Sequence, residues 1–386
     1  MDMEGFFYRD TWAEIDLGNI EQNITSIKKL FPEEVKVIAV VKANAYGHGG
    51  VEVAETALAA GAEYLAVAFL DEALALRKKG IEAPMLILGA TRPEDVKVAA
   101  ENSLTVTAYS LEWLQEASAH LAEHSLSIHI KVDTGMGRIG FKDAKELKQA
   151  DELIKADGRF LLEGVFTHFA TADETGTDYF RKQLREFNHL LGVFSHRPSL
   201  VHASNSAAAI RFPEARFNAV RLGIGMYGLA PSPEMKSELP VVLHEAFSLH
   251  SRIVQIKKLQ KGEYISYGAT YQATGEEWIA TIPIGYADGW IRKLQGQEVL
   301  VNEKRSPIVG RICMDQCMIR LQEYAPPGTE VILIGRQGAE FVGIDEIARN
   351  IGTINYEIPC LISNRVPRLY KKEGEMVGLQ NNLLAD

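Results

Sequence analysis

Val37-Ile38-Ala39-Val40-Val41-Lys42-Ala43-Asn44-Ala45-Tyr46-Gly47-His48-Gly49 is the stretch on which the reading of this chain turns. Five apolar residues in a row read as a buried strand, and that strand runs straight into an amine. Seven further short apolar runs follow: Tyr64 to Ala68, Met85 to Leu88, Leu104 to Thr107, Ile128 to Val132, Leu162 to Thr167, Leu200 to Ala203 and Ala219 to Leu222. Between them lie segments with helical punctuation, such as Asp71 to Lys79 with an acidic N-cap and Gly80 behind it, and Ser110 to Glu123 with Ser110 as cap. Eight strands alternating with helices predict an α/β fold whose N-terminal part is a (β/α)8 TIM-type barrel. An open doubly wound sheet shares the alternation and stays as the alternative; the strand count favours the barrel.

Around Pro231, Pro233 and Pro240 the helical segments give way to short alternating strands such as Ser248 to Ile256, Trp278 to Ile282 and Glu330 to Ile334. The expected division is a barrel over 1–240 and a C-terminal, mainly β domain over 241–386. Neither part shows a fixed repeat or a low-complexity tract.

With 386 residues, 46% of them apolar and 24% charged, the chain has the composition of a soluble globular protein of two or three domains. Its formal net charge of -10 argues against a nucleic-acid surface. Met1 to Arg9 has neither the basic region nor the apolar core of a signal peptide, and no apolar stretch reaches membrane-spanning length. Three cysteines, Cys313, Cys317 and Cys360, lack zinc-site spacing and read as reduced thiols, so a cytoplasmic protein without a metal is expected.

In a barrel the C-terminal strand ends face the active site, so the residues following each apolar run form the useful inventory. Strand one ends in Lys42, strand five leads through Lys131 and Asp133 to Arg138, strand six ends in His168, strand seven in Ser204-Asn205-Ser206, and strand eight carries Arg221. A partly buried lysine amine loses charge and gains nucleophilicity toward a carbonyl; the plainer reading of Lys42 is a snorkelling strand end. The loops at Ser204-Asn205-Ser206 and Gly223-Ile224-Gly225 stand where barrels bind phosphate, although each alone could be an ordinary turn. Arg221, buried, is either used or paired with a barrel carboxylate, and His168 alone could be a satisfied core histidine. Gly135-Met136-Gly137-Arg138-Ile139-Gly140 and Gly223-Ile224-Gly225-Met226-Tyr227-Gly228 both fit G-x-G-x-x-G. Neither brings the supporting unit and acidic residue of a dinucleotide site, and no phosphate-binding G-x-x-x-x-G-K-[ST] loop occurs.

Taken together these residues resemble the bacterial alanine racemases. The likeness rests on Ala39 to Gly49, Asp133-Thr134-Gly135-Met136-Gly137-Arg138, Thr167-His168-Phe169, His202 to Ser206, Tyr267-Gly268-Ala269, Ile284-Gly285-Tyr286-Ala287-Asp288-Gly289 and Gly310-Arg311-Ile312-Cys313-Met314-Asp315, in that order along nearly the whole chain.

The resemblance implies pyridoxal 5'-phosphate held by Lys42 as a Schiff base, in a homodimer with shared active sites. Lys42 and Tyr267, the latter from the other subunit, would be the two bases, with Arg221 and His168 lowering the barrier to a phenolate. Arg221 would face the pyridine nitrogen. Tyr46, Asn205, Ser206, Gly223, Ile224 and Tyr356 would surround the phosphate; Arg138 and the Met314 N–H would meet the substrate carboxylate; Tyr286 would narrow the entrance. Lys131 occupies a position that is carbamylated in some family members. The implied reaction interconverts L- and D-alanine and supplies D-alanine for peptidoglycan. A broad-specificity amino-acid racemase, a barrel-plus-β decarboxylase and a pyridoxal-phosphate carrier without turnover are the alternatives.

Overall fold

The computed structural model describes residues 7–384; residues 1–6 and 385–386 lie outside the described residues. Its contacts divide into two units, one over 20–45 and 50–244, the other over 46–49, 245–384 and the N-terminal segment up to residue 19.

The first unit is the barrel. Its eight strands are Lys36–Val40, Tyr64–Val67, Met85–Ile87, Thr105–Ala108, Leu126–Lys131, Phe160–Phe166, Leu200–His202 and Ala219–Leu222. Strands one to seven pair in parallel in sequence order, and the first also pairs with the eighth, in register Lys36↔Ala219 to Ala39↔Leu222. Strands buried on both faces read as uninterrupted apolar runs, which is why all eight were visible in sequence. No ladder joins strands seven and eight. The seam is stitched by the Arg221 N–H to the Ser204 carbonyl at 3.0 Å. Asn218 adds to it, accepting from the Val201 N–H and donating to the Ser199 carbonyl, both at 2.7 Å.

Two helix readings need adjusting. The helix after strand two is Leu70–Lys78, capped by Phe69 without a side-chain bond, so Asp71 lies inside its first turn. The helix after strand four is Leu111–His120, and Ser110 caps it by accepting from the Trp113 N–H at 3.1 Å.

The second unit is mainly β. Its large sheet runs, in spatial order, Gln255–Leu259, Glu277–Ile282, Cys317–Leu321, Lys304–Val309, Glu298–Val301, Glu330–Gln337, Phe247–Arg252, Thr11–Asp16, Arg368–Lys372 and Glu375–Gln380. The expected strand Ser248 to Ile256 is therefore two strands, broken at Ile253 and Val254. Against the expected division at 240/241, the contacts divide at 244/245 and group residues 7–19 with the β unit. Thr11–Asp16 is a sheet strand, antiparallel to Phe247–Arg252 and parallel to Arg368–Lys372, with Trp12, Ala13 and Ile15 in the core.

Among the described residues no helix is long and apolar enough to cross a membrane. No cluster of His, Cys, Asp and Glu among them could hold a metal. The three cysteines are unbridged.

Candidate active site

Lys42 stands at the C-terminal end of the first barrel strand. The four residues after it, Ala43, Asn44, Ala45 and Tyr46, all have φ between 51° and 54°. This is a left-handed turn, which costs about 1–2 kcal/mol for each L-residue that adopts it. Such strain persists only where surrounding bonds over-determine it. Here Glu72 accepts the Ala43 N–H with one oxygen and the Ala68 N–H with the other, both at 2.7 Å. Asn44 accepts the Gly50 N–H at 2.8 Å, and the Ala45 N–H returns to the Val41 carbonyl at 2.9 Å. The Tyr227 hydroxyl donates to the Val40 carbonyl at 2.9 Å. The amine is thus carried on a braced, strained turn.

Lys131, Arg138, His168 and Arg221 gather at the same strand ends. Arg221 is only 3% exposed, yet no carboxylate is among its partners. Its Nη atoms donate to the carbonyls of His202 (3.0 Å), Thr167 (2.8 Å) and Ala203 (3.0 Å). They also meet Nδ1 of His202 (2.7 Å) and of His168 (3.2 Å). The ion pair weighed from sequence is therefore absent. Burial, and then Arg138, push the guanidinium down to about 9. His168 is held well below the usual histidine range by burial first, then by Arg221, Arg138, Lys131 and Lys42, so it is neutral. Lys131 is pushed down to about 8 by burial, Arg138 and Arg221, against the pull of Asp133.

Asp133 shapes the Arg138 loop. Its carboxylate accepts the N–H groups of Gly135 at 3.0 Å and Gly137 at 2.9 Å. Burial would raise its pKa, but these bonds and Lys142 hold it below the usual carboxylate range.

At strands seven and eight, the buried Ser206 hydroxyl accepts from the Gly223 N–H at 2.9 Å and from Gly225 at 3.3 Å. Ile224 opens the short turn Ile224–Tyr227. Asn205 caps Ser206–Arg211 by accepting the Ala208 N–H at 3.0 Å, so its side chain already has a structural task.

The remaining candidates, Tyr46, Tyr267, Tyr286, Met314 and Tyr356, belong to the second unit. The Tyr46 and Tyr356 rings lie 6.2 Å apart, and burial, then Cys360, push the Tyr46 phenol up, so it remains a hydrogen-bond donor. Tyr267 sits at the tip of a small hairpin pairing Tyr264↔Gln272 and Ile265↔Tyr271. Its base is anchored by Ile265 in a cluster with Leu259, Ala273, Ile279, Val309 and Met318. The tip is strained, with Ser266 at φ 69° and Ala269 at φ 47°. Ser266 is pinned by its hydroxyl to the Arg311 carbonyl at 2.7 Å. Gly310 is required beneath it, since a Cβ there would stand 2.6 Å from that of Ser266. The Tyr286 and Met314 loops are bonded together by Tyr286 N–H to the Cys313 carbonyl and Ala287 N–H to the Met314 carbonyl, both 3.0 Å. Despite these fixed backbones the side chains are open to solvent: Tyr267 is 69% exposed, Met314 53% and Tyr286 40%.

Sequence reading gave Glu72, Asn44, Tyr227 and His202 no role of their own, although Asn44 and His202 lie inside quoted motifs. Glu72 offered one signal, as an acidic residue at a helix start, but nothing local showed that it braces the lysine turn.

A strand-end amine near Lys131 and His168, in a cluster with Arg138 and Arg221, with the Glu72 and Asp133 carboxylates bonded to backbone N–H groups and a hydroxyl-lined glycine turn, suits an anionic, carbonyl-bearing group. The fold and the placement of these groups are those of a (β/α)8-barrel enzyme with its polar side chains at the C-terminal strand ends. Residues 15–231 match the alanine racemase N-terminal domain and 246–370 the alanine racemase C-terminal domain. The alanine racemase of Geobacillus kaustophilus HTA426 is 59% identical over 376 residues, 97% of this chain and 98% of that protein. The crystal structure of alanine racemase from Bacillus anthracis with bound L-Ala-P superposes with a TM-score of 0.95 at 53% identity, covering 98% and 99% of the two chains. A histidine racemase from Leuconostoc mesenteroides subsp. sake superposes at 0.90 with 33% identity, covering 94% and 98%. The chain belongs to the alanine racemase family, whose members are pyridoxal-phosphate-dependent isomerases.

Proposed function

We propose that this protein interconverts L- and D-alanine as a homodimer in the cytoplasm, using pyridoxal 5'-phosphate and supplying D-alanine for peptidoglycan. The observation that carries the reading is the buried Arg221 guanidinium, without a carboxylate partner, in a cationic cluster beside Lys42.

The donor set fits that cofactor. Lys42 would hold it covalently, the Ser206 hydroxyl with the Gly223 and Ile224 turn, Tyr46, Tyr356 and the Asn205 helix cap would surround its phosphate, and Arg221 would face its ring nitrogen. When bound, the cofactor supplies an electron sink that makes the substrate Cα proton acidic enough to remove.

Racemisation removes that proton on one face and returns it on the other, so two acid–base groups on opposite faces suffice. Lys42 is one. Tyr267 is the other, offered by a second copy of the chain, in keeping with its exposure at a rigid hairpin tip. A phenol with a reference pKa of ~10 needs cationic surroundings to act as a base at neutral pH. Arg221 would provide that field, with neutral His168 as a hydrogen-bonded link 3.2 Å from the guanidinium. Arg221 has no proton to yield readily, so the ring nitrogen would stay unprotonated, which limits the sink and suppresses transamination. Arg138 and the Met314 N–H would orient the substrate carboxylate, and Tyr286 would restrict side-chain size. Lys131, pushed down to about 8, keeps a neutral amine fraction of the kind carbamylation needs.

A wider amino-acid range is the second reading, favoured by the likeness to a histidine racemase. Polarimetry of the cofactor-loaded protein with L- and D-alanine, serine, histidine and lysine tests both. Alanine should turn over fastest in both directions, and absence of turnover with alanine would refute the proposal.

A further inference from the structure

Beneath Arg221 runs a line of buried groups to which the proposed reaction gives no task. Arg221 Nη1 stands 2.7 Å from His202 Nδ1, and His202 Nε2 stands 2.9 Å from His129 Nδ1. His129 Nε2 stands 3.6 Å from the Glu163 carboxylate. Both imidazoles are fully buried, whereas the Glu163 side chain is 31% exposed.

Chemistry allows this line only one polarity. A guanidinium has no acceptor, so His202 Nδ1 must accept from it and Nε2 must carry the proton. His129 Nδ1 therefore accepts, and its own Nε2–H points toward Glu163. That last step is longer than a hydrogen bond, and His129 Nε2 has no hydrogen-bond partner among the described residues, so Glu163 faces it as the nearest charge rather than as a bonded acceptor. Burial holds both imidazoles below the usual histidine range, with Glu163 pulling His129 the other way, so both are neutral spacers.

The strands are built around this line. Pairing of Leu126–Lys131 with Phe160–Phe166 runs Ile128↔Leu162 and then His129↔Gly164, so Glu163 is the extra residue of a β-bulge. A Cβ on Gly164 would lie 2.6 Å from the His129 ring, so only glycine leaves that ring its place. The Tyr64 hydroxyl (3.0 Å) and the Thr105 hydroxyl (3.3 Å) also reach the Glu163 carboxylate. Tyr64 and Thr105 begin their strands, whereas the Thr167 and Ala203 carbonyls that hold Arg221 follow the ends of theirs.

We infer that Glu163 is the remote counter-ion of Arg221, a positioning residue that acts through His129 and His202 to fix the guanidinium's orientation and charge. The inference rests on the proposed role of Arg221 toward the cofactor, but its structural half does not. In cofactor-free protein, 15N NMR of histidine-labelled chain should show His129 and His202 neutral and protonated on Nε2 from roughly pH 6 to 8. A proton on Nδ1 of either residue would overturn the relay without touching the reading of the active site.

In loaded enzyme, Glu163→Gln keeps an acceptor for Tyr64 and Thr105 but removes the charge. It should lower kcat for alanine about five- to tenfold with KM nearly unchanged, and raise the share of turnovers lost to transamination. Arg221→Lys is the control. If it alters that partition while Glu163→Gln leaves kcat and partition at wild-type values, the inference fails and the proposed function stands. If neither variant alters them, the role given to Arg221 fails and the inference falls with it.

Discussion

The two units hold their candidate residues in opposite ways. At the barrel strand ends Glu72, Asp133 and Arg221 are held within their own unit: Glu72 braces the lysine turn, Asp133 the Arg138 loop, and three carbonyls and two imidazoles hold Arg221. In the β unit the backbone is equally fixed, at Ser266, Gly285 and Gly310, yet Tyr267, Met314 and Tyr286 face solvent. A rigid backbone presenting exposed aromatic and thioether side chains is what an interface contributes, whereas a buried cation held by groups of its own unit, as Arg221 is, is what a pocket contributes. On the proposed reading, the barrel half of the site is pre-organised and the exposed half would be offered to a second copy.

Substitutions can break that contrast, beginning with the barrel. Lys42→Ala should abolish the visible absorption of the cofactor-loaded protein and reduce racemisation at least about a thousandfold. Retained racemisation would remove Lys42 from the chemistry. Tyr267→Phe, in the exposed half, should slow Cα-proton removal from one enantiomer about 10²–10⁴-fold and from the other far less, read by hydrogen–deuterium exchange of each. Equal losses would contradict two bases on opposite faces.

Smaller effects test the packing. Gly164→Ala would force the His129 ring aside and should destabilise the barrel by about 1–3 kcal/mol, seen as a lower denaturation midpoint. An unchanged midpoint would mean the bulge has slack that the distances do not show.

The smallest effect is electrostatic and lies away from the site. Asp157 is held at about 2, first by its hydrogen bond from Arg159, with burial opposing and Ser118 adding. Its folded pKa is depressed, so its stabilisation is present above the unfolded carboxylate value and is lost as pH falls from about 4 toward 2. With Arg159 partly in solvent the gain is at most about 1 kcal/mol. Asp157→Asn should flatten that part of the stability–pH curve, and identical curves would show that the pair contributes nothing.

Much of the barrel was legible because parallel strands buried on both faces announce themselves as apolar runs. Thr11–Asp16 was not: its partners begin at Phe247 and Arg368, and nothing near it in sequence signals either. The placement of Lys42, Arg221 and Ser206 at or just after strand ends followed from the apolar runs. The left-handed turn after Lys42 did not, because alanine, asparagine and tyrosine rarely hold a positive φ, and only Gly47 and Gly49 hinted at unusual backbone. His129 and Glu163 were equally hidden, since a bulge that aims a carboxylate has no local signature once it lies inside an apolar run.

The claim that two copies complete each other's sites is tested most directly by mixing two inactive proteins, Lys42→Ala and Tyr267→Phe, and allowing subunits to exchange. If each site joins the barrel of one chain to Tyr267 of the other, half the dimers are mixed and each regains one intact site. Activity should then return to about a quarter of wild type. If both bases of a site come from one chain, every site in the mixture keeps a defect, and no recovery would contradict the account.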